Sequence, residues 1–142
     1  MLGERVLPAP APFVLPEVKP FWEGTAEGRL LLPRCDDCQV FIWYPRPFCP
    51  SCASTRVSWT EASGRGSVYS FTVNRRGVAD LPAYKEAGPY VLAYVELDEG
   101  PRVMTNIVDC DPDSVKIGQR VEVVFHDTGE GTALPRFRPA AD

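Results

Sequence analysis

The most regular feature of the chain is an alternation of apolar and polar positions in its second half. Every second residue from Val91 to Leu97 is apolar, and the same spacing recurs from Val121 to Phe125. A period of two places these side chains on one face of a strand, so both segments predict half-buried β-strands. With the shorter apolar runs between turn residues, the predicted strands are Val57–Glu61, Ser67–Asn74, Tyr90–Leu97, Arg102–Val108, Arg120–His126 and Leu134–Arg138.

The number and spacing of these strands predict a small barrel. Five of them follow residue 64, with one longer excursion at residues 75–89 and a single helical turn predicted at Asp111-Pro112-Asp113. This arrangement is typical of a five-stranded Greek-key barrel of the OB type, and a small β-sandwich is the alternative. We assign residues 63–142 to the barrel, which makes the chain mainly β.

The segment before the strands has helical spacing instead. Apolar side chains recur every three or four positions within residues 17–28, and Gly28 ends the pattern. This predicts one short amphipathic helix, in which Pro20 is tolerated because it lies in the first turn. Phe21 and Trp22 on this helix either cover the domain's own core or form a docking surface for a partner protein.

Residues 1–16 form a proline-rich arm. Four prolines lie within residues 7–16, and because proline fixes φ and lacks an N–H, this part is expected to be extended. It is either a linker from a longer polypeptide or an ordinary loose arm.

Two Cys-x-x-Cys hooks predict a metal site within residues 29–62. Cys35 and Cys38 form the first hook, Cys49 and Cys52 form the second, and ten residues separate them, enough for a hairpin arm at residues 40–43. Four thiolates at about 2.3 Å close a tetrahedral shell around one zinc ion, as in the rubredoxin-like knuckles of a zinc ribbon. Such a shell has no open position for water, so we predict one structural zinc. Iron, disulfides or no metal are the alternatives.

Composition and charge limit the other possibilities. The chain has 142 residues and a net charge of -4, with residues 1–90 at +1 and residues 91–142 at -5. This balance is unlike that of a protein that binds nucleic acid phosphates. No apolar run reaches the ~18 residues of a membrane span and no secretory signal is visible, so a cytoplasmic location is expected. Five cysteines in such a chain favour thiols or metal thiolates.

No arrangement of residues indicates an autonomous active site. His126 is the only histidine and lacks a nucleophile motif, while the fifth cysteine, Cys110, lies between two aspartates that disfavour a thiolate. We predict that Cys110 is a packed thiol. Arg75 and Arg76 stand at the first long loop of the barrel and are the best candidates for binding an anion.

Several motifs together resemble a family of zinc-ribbon plus OB-fold proteins that accompany acyl-CoA enzymes and were long described as a domain of unknown function. The resemblance covers residues 18–139. The motifs that carry it are Phe21-Trp22, the run at residues 45–52 (PRPFCPSC), residues 63–73 (SGRGSVYSFTV), residues 109–112 (DCDP), residues 116–118 (KIG), residues 121–125 (VEVVF) and residues 134–139 (LPRFRP).

The resemblance implies a non-catalytic subunit that binds a thiolase-fold or lipid-transfer-protein-like enzyme in a hetero-oligomer and helps form its acyl-CoA site. Some similar modules are fused behind a hydratase-like domain and support an aldolase that shortens steroid side chains. The proline-rich start resembles the linker of such a fusion. One departure is that Gln39 and Ala53 stand where members of the family often have glycine.

Two other functions compete with this interpretation. Zinc ribbons and OB barrels also bind single-stranded nucleic acid, and Phe41, Trp43 and Tyr69 could stack on bases. The acidic charge of the chain argues against that. A rubredoxin-like iron centre for electron transfer is the other possibility, and a colourless zinc protein would exclude it.

Overall fold

The computed structural model of the chain describes residues 7–76 and 80–141. Residues 1–6 of the predicted arm and residues 77–79 of the excursion lie outside the described residues. Residues 7–15 have no regular secondary structure. A 3₁₀ turn at Pro16–Val18 then leads into helix α1 (Lys19–Ala26), whose first turn contains a proline as expected.

Helix α1 is fixed to the rest of the protein by Phe21 and Thr25. The Phe21 side chain is buried in the main core. The Thr25 hydroxyl donates a hydrogen bond to the carbonyl oxygen of Trp22 (2.8 Å) and accepts one from the backbone N–H of Ala133 (3.1 Å). Because this last bond joins residues 108 positions apart, the helix is held against the C-terminal strand.

An antiparallel hairpin follows, built from β1 (Leu31–Cys35) and β2 (Val57–Glu61). Strand β2 agrees with its predicted bounds. Strand β1 has no counterpart among the predicted strands, because Leu31-Leu32-Pro33 does not alternate and a proline is tolerated only where a strand has a free edge. The predicted hairpin arm at residues 40–43 is reduced to one bridge between Arg34 and Phe41.

The barrel is closed and has the five predicted strands, β3 (Arg65–Asn74), β4 (Tyr90–Leu97), β5 (Arg102–Ile107), β6 (Arg120–Asp127) and β7 (Ala133–Pro139). The strand order is β3-β4-β5-β7-β6. Residues 65–67 of β3 pair with residues 120–122 of β6 and so close the barrel, while β5 meets β7 in parallel at Ile107 and Phe137. The prediction of a mainly β chain with an OB-type barrel is therefore confirmed.

Two short helical pieces lie between the barrel strands. A 3₁₀ turn at Pro112–Ser114 follows β5, as predicted. Helix α2 (Pro82–Ala87) lies inside the long excursion and was not predicted, because its six residues are fewer than two helical turns and have no apolar stripe.

The core is divided into two clusters of unequal size. The larger one combines residues of α1 and β1 with inward-facing residues of the barrel, including the alternating set of β4. The smaller one consists of Cys35, Ile42 and Cys49, with Val57 packed against it.

Among the described residues, no helix is long and apolar enough to cross a membrane. The division of the chain at residues 16, 28 and 62 stays a prediction.

Candidate metal centre

The two cysteine hooks have the same backbone structure. In each hook, the N–H of the residue four positions after the first cysteine donates to that cysteine's carbonyl oxygen, from Gln39 to Cys35 (3.0 Å) and from Ala53 to Cys49 (2.9 Å). The N–H of each first cysteine in turn donates to the carbonyl oxygen five residues later, at 2.9 and 2.8 Å. These bonds curl each hook around its own two sulfurs.

This curl requires a left-handed residue after the second cysteine of each hook. Gln39 has a φ of 66° and Ala53 a φ of 61°, the conformation in which glycine is usually found. The departure at these two positions therefore leaves the knuckle geometry intact. Gln39 also donates a side-chain hydrogen bond to the carbonyl oxygen of Asp36 (2.8 Å), which supports its conformation.

The four sulfurs converge on one point. The ligand atoms of Cys35, Cys38, Cys49 and Cys52 all lie within 4.8 Å of one another, and two of the S···S distances are 3.6 Å. A tetrahedron with zinc–sulfur bonds of about 2.3 Å has sulfur–sulfur edges of about 3.8 Å, so the spacing fits a zinc ion. It does not fit disulfides, in which the sulfurs are about 2.05 Å apart.

The four thiols differ in burial and in pKa. Cys35 and Cys49 are buried while Cys38 and Cys52 are exposed, so the ion would lie just below the surface. The pKa of Cys49 is lowered to about 6, chiefly because the backbone N–H of Cys52 donates to its sulfur, whereas the pKa values of Cys38 and Cys52 are raised. A bound cation stabilises all four thiolates, and the closed shell supplies structure without an exchangeable position.

The acidic pair between the cysteines is used for structure. Asp37 forms an ion pair with Arg56 and accepts a hydrogen bond from Ser54, and Asp36 accepts one from Ser58 (3.0 Å). These bonds connect the first hook to the second hook and to β2. Asp36 and Asp37 therefore hold the ribbon together.

The predicted partner-binding aromatics lie against the core. Phe21 is 3% exposed and its ring contacts those of Trp22 (4.9 Å between centroids) and Trp43 (5.6 Å). Trp22 is half-buried and keeps part of its surface free. Phe21 thus covers the protein's own core, the first alternative considered above, and the docking role of Trp22 stays a prediction.

The arginine pair does not act as one unit. Arg75 forms an ion pair with Asp113, which raises the pKa of the arginine and lowers that of the carboxyl. Arg76 is exposed. Because one of the two charges is already compensated, Arg76 is the stronger candidate for contacting an anion, and this role also stays a prediction.

Cys110 is half-buried. Desolvation raises the pKa of its thiol, and the charges of Asp109 and Asp111 raise it further. These are the properties expected of a packed thiol and not of a nucleophile.

Sequence reasoning missed a contact between the two ends of the chain. Arg136 on β7 is 3% exposed and binds the carbonyl oxygens of Leu7 (3.1 Å) and Pro8. It also bonds Nδ1 of His126 at 2.8 Å. No local pattern indicates a bond across 129 positions. The arm is therefore attached to the barrel at residues 7–8 and is not loose there.

The aromatic residues considered for base stacking are largely occupied. Phe41 and Trp43 pack against the main core. The exposed ring of Tyr69 is covered by the guanidinium of Arg102, 3.8 Å from the ring centroid. None of these rings is therefore presented as a free platform.

Comparison with known proteins accounts for both parts of the chain. Residues 22–58 match the family described as "ChsH2, rubredoxin-like zinc ribbon domain" and residues 59–126 match "ChsH2, C-terminal OB-fold domain". The zinc-ribbon match and the four converging sulfurs together confirm the predicted structural zinc.

Two named relatives support membership of the same family. A probable enoyl-CoA hydratase alpha subunit of Thermomonospora curvata is 40% identical over 121 residues, which are 84% of this chain and 37% of that protein. A DUF35 domain-containing scaffold protein of Methanocaldococcus jannaschii is 36% identical over 126 residues, covering 83% of this chain and 87% of the relative. The chain thus spans little more than a third of the hydratase subunit and most of the scaffold protein.

A solved structure with the same fold is described as "Ltp2-ChsH2(DUF35) aldolase". One of its chains superposes with a TM-score of 0.80 at 36% identity. The match covers 92% of this chain and 100% of that chain. The resemblance stated from the sequence motifs is therefore confirmed.

Proposed function

The chain belongs to the family built from the ChsH2-type zinc ribbon and OB-fold domain, and from that premise we propose that it is a non-catalytic accessory subunit of an acyl-CoA enzyme. The proposed partner is a thiolase-fold, lipid-transfer-protein-like enzyme with which it forms a hetero-oligomer. The chain helps to shape the partner's acyl-CoA site. More specifically, we propose that the assembly is a cytoplasmic aldolase that cleaves a carbon–carbon bond in a steroid side chain.

The observation that carries the proposal is the superposition on the aldolase structure. The entire length of one chain of that two-component assembly is matched at 36% identity. The names of the relatives point in the same direction, since one is a hydratase subunit and the other a scaffold protein. In each case the name describes a component of an assembly or a support for one.

The metal centre supports a scaffolding role as well. Its four sulfurs complete a tetrahedral shell, whereas a catalytic zinc keeps one ligand exchangeable. Chemistry on an acyl thioester would then be supplied by residues of the partner. Trp22 and Arg76 are the residues of this chain that we propose for contact with the partner and with the anionic part of acyl-CoA.

Affinity purification from the native host tests the assembly directly. The tagged chain is expected to retain a thiolase-fold subunit that mass spectrometry identifies, and acyl-CoA cleavage by that subunit should require the chain. Trp22→Ala should weaken the complex, and Ile117→Ala, at a side chain that is 72% exposed, provides the control. Unchanged partner activity and solubility without the chain would contradict the proposal, as would turnover of a thioester by the isolated chain.

A binding titration distinguishes the accessory role from the alternative of nucleic-acid binding. Single-stranded oligonucleotides should bind weakly or not at all, because the charge of the chain is -4. Micromolar affinity that falls steeply with salt would favour the alternative instead.

A further inference from the structure

A cavity of about 910 Å³ opens at one end of the barrel. It lies where β3, β5 and β6 end and β4 begins, and we call it the end cavity. Leu7, Tyr90 and Ile107 form apolar parts of its wall, and Asp109 and His126 form polar parts. Its volume is in the range of pockets that hold small molecules, roughly 300–1,000 Å³. The metal centre contributes no residue to it.

The buried guanidinium of Arg136 fixes two sides of the end cavity. It binds the carbonyl oxygen of Leu7, so the proline-rich arm is held as part of the wall, and it binds Nδ1 of His126. Among the described residues, no carboxylate forms an ion pair with Arg136. The terminal nitrogens of this buried cation bind two carbonyl oxygens and one imidazole nitrogen, while its Nε has no hydrogen-bond partner within the described part of the chain. Removing one of these partners would therefore make the cation still more costly to bury.

The contact with Arg136 determines the protonation of His126. A guanidinium can only donate hydrogen bonds, so Nδ1 must accept and cannot carry a proton. A neutral imidazole then has its proton on Nε2. Burial lowers the pKa of His126, and the Arg136 charge lowers it further against a smaller opposing effect of Asp109. The contact with Arg136 therefore favours a neutral His126 that lines the end cavity and carries its proton on Nε2.

The charges around the end cavity select against anions. Asp109, Asp111 and Asp113 face one lining arginine, Arg75, which gives the lining a formal charge of -2. The buried guanidinium of Arg136, bonded to His126, reduces the charge around the cavity to -1. Arg75 is paired with Asp113, and Asp111 accepts a hydrogen bond from the backbone N–H of Asp113. The carboxylates of the lining would therefore repel phosphate and carboxylate groups, while an uncharged ligand would meet the apolar parts of the wall and the imidazole of His126.

We propose that the end cavity binds an uncharged ligand with an apolar chain and a carbonyl group, and that the Nε2–H of His126 donates a hydrogen bond to the carbonyl oxygen. Arg136 acts as a positioning residue that sets the tautomer of His126. The site belongs to the isolated chain and does not depend on the proposed enzyme partner. Failure of its test therefore leaves the accessory role standing.

The test uses the fact that the chain has one histidine, so its imidazole NMR signals need no assignment by mutation. A long-range ¹H–¹⁵N spectrum at neutral pH should show the Nε2–H tautomer. Titration with 2-octanone should shift the Nε2 signal, and octanoate, an anion of the same chain length, should bind at least about tenfold more weakly. An Nδ1–H tautomer, or equal binding of ketone and carboxylate, would overturn the proposal.

Matched variants locate the donor. His126→Phe retains an aromatic ring and should weaken 2-octanone binding about tenfold. Ile117→Ala, at an exposed side chain outside the end cavity, should leave binding unchanged. Arg136→Met should remove the constraint on His126, so that the proton is no longer confined to Nε2. If this variant does not fold, the wild-type spectrum and the His126→Phe variant still test the proposal. Unaltered binding by His126→Phe would exclude the proposed hydrogen bond.

Discussion

The two ends of the β1–β2 hairpin are stabilised by different means although they share the same strands. Leu32 and Cys35 lie three residues apart on β1, and neither side chain is exposed. Leu32 packs with residues from α1 and the barrel in the larger core cluster, whereas Cys35 packs in the cluster of three residues at the hooks. One short strand thus connects a conventional core to a metal centre.

The difference shows what each end needs in order to fold. Burial of apolar side chains offsets the entropy of ordering the barrel. Three buried residues cannot do the same for residues 35–56, so the ion must supply the difference, of order 10 kcal/mol in comparable sites. We expect the hook end to depend on zinc and the barrel end to depend on packing.

The largest expected effect is loss of the metal. Cys49→Ser removes a buried ligand, so the variant should lose its zinc and the structure of residues 35–56, with a cost of order 10 kcal/mol for that module. Elemental analysis after dialysis should find one zinc per chain in the wild type. Cys110→Ser is the matched control and should retain the zinc. Full zinc content in Cys49→Ser would show that the hook end is built differently.

The next effect concerns the barrel end. Phe137 is 1% exposed and lies in the larger core cluster, so Phe137→Ala should destabilise the protein by about 3–5 kcal/mol through lost burial and a residual cavity. Chemical denaturation measures the change. Met104→Ala, at a side chain that is 55% exposed, should stay within about 0.5 kcal/mol. Similar losses for the two variants would contradict the assigned core.

A smaller, opposite effect is expected at the second hook. Ala53 has a φ of 61°, which costs an L-residue about 1–2 kcal/mol, and its side chain is exposed. Ala53→Gly should therefore stabilise the zinc-bound hook by roughly 0.5–1 kcal/mol after the added flexibility of the unfolded chain is subtracted. Resistance of the zinc site to a chelator measures the gain. Weaker zinc retention in the variant would rule out this strain.

The smallest effect is electrostatic and belongs to the barrel. Arg120 donates two hydrogen bonds to Asp98 at 2.8 Å, and chiefly for this reason the pKa of Asp98 is lowered. The contribution of the Asp98 carboxylate to folding stability is fully present above its unfolded-state pKa of about 3.9. This contribution is lost as the pH falls through the lower pKa of Asp98 in the folded protein. The pair is about half exposed, so the contribution is small. Asp98→Asn should be slightly less stable than wild type at pH 7, and the difference should shrink as the pH is lowered below the unfolded pKa, as measured by thermal denaturation.

The parts of the fold that the sequence predicted are those with a local signature. The alternation from Val91 to Leu97 and the two Cys-x-x-Cys hooks depend on neighbouring residues, and the structure contains both. Strand β1 was not predicted, because Leu31-Leu32-Pro33 has no period and its burial is decided by contacts with the barrel.

The remaining differences come from long-range contacts. The bond from Arg136 to Leu7 spans 129 positions and leaves no periodic trace in the sequence. An arginine in the run Leu134–Pro139 also resembles an outward-facing residue of an exposed strand, yet its burial is fixed by the arm and by His126. The end cavity could therefore be recognised only once the strand ends and the arm were placed together.

The account depends most on the claim that zinc maintains the hook end while the barrel maintains itself. Hydrogen exchange of the wild-type protein before and after metal removal by a chelator measures both ends in one experiment. We predict that amides of residues 35–56 lose their protection and that those of β4 and β5 keep most of theirs. Loss of protection throughout the barrel, or retained protection at the hooks without metal, would contradict it.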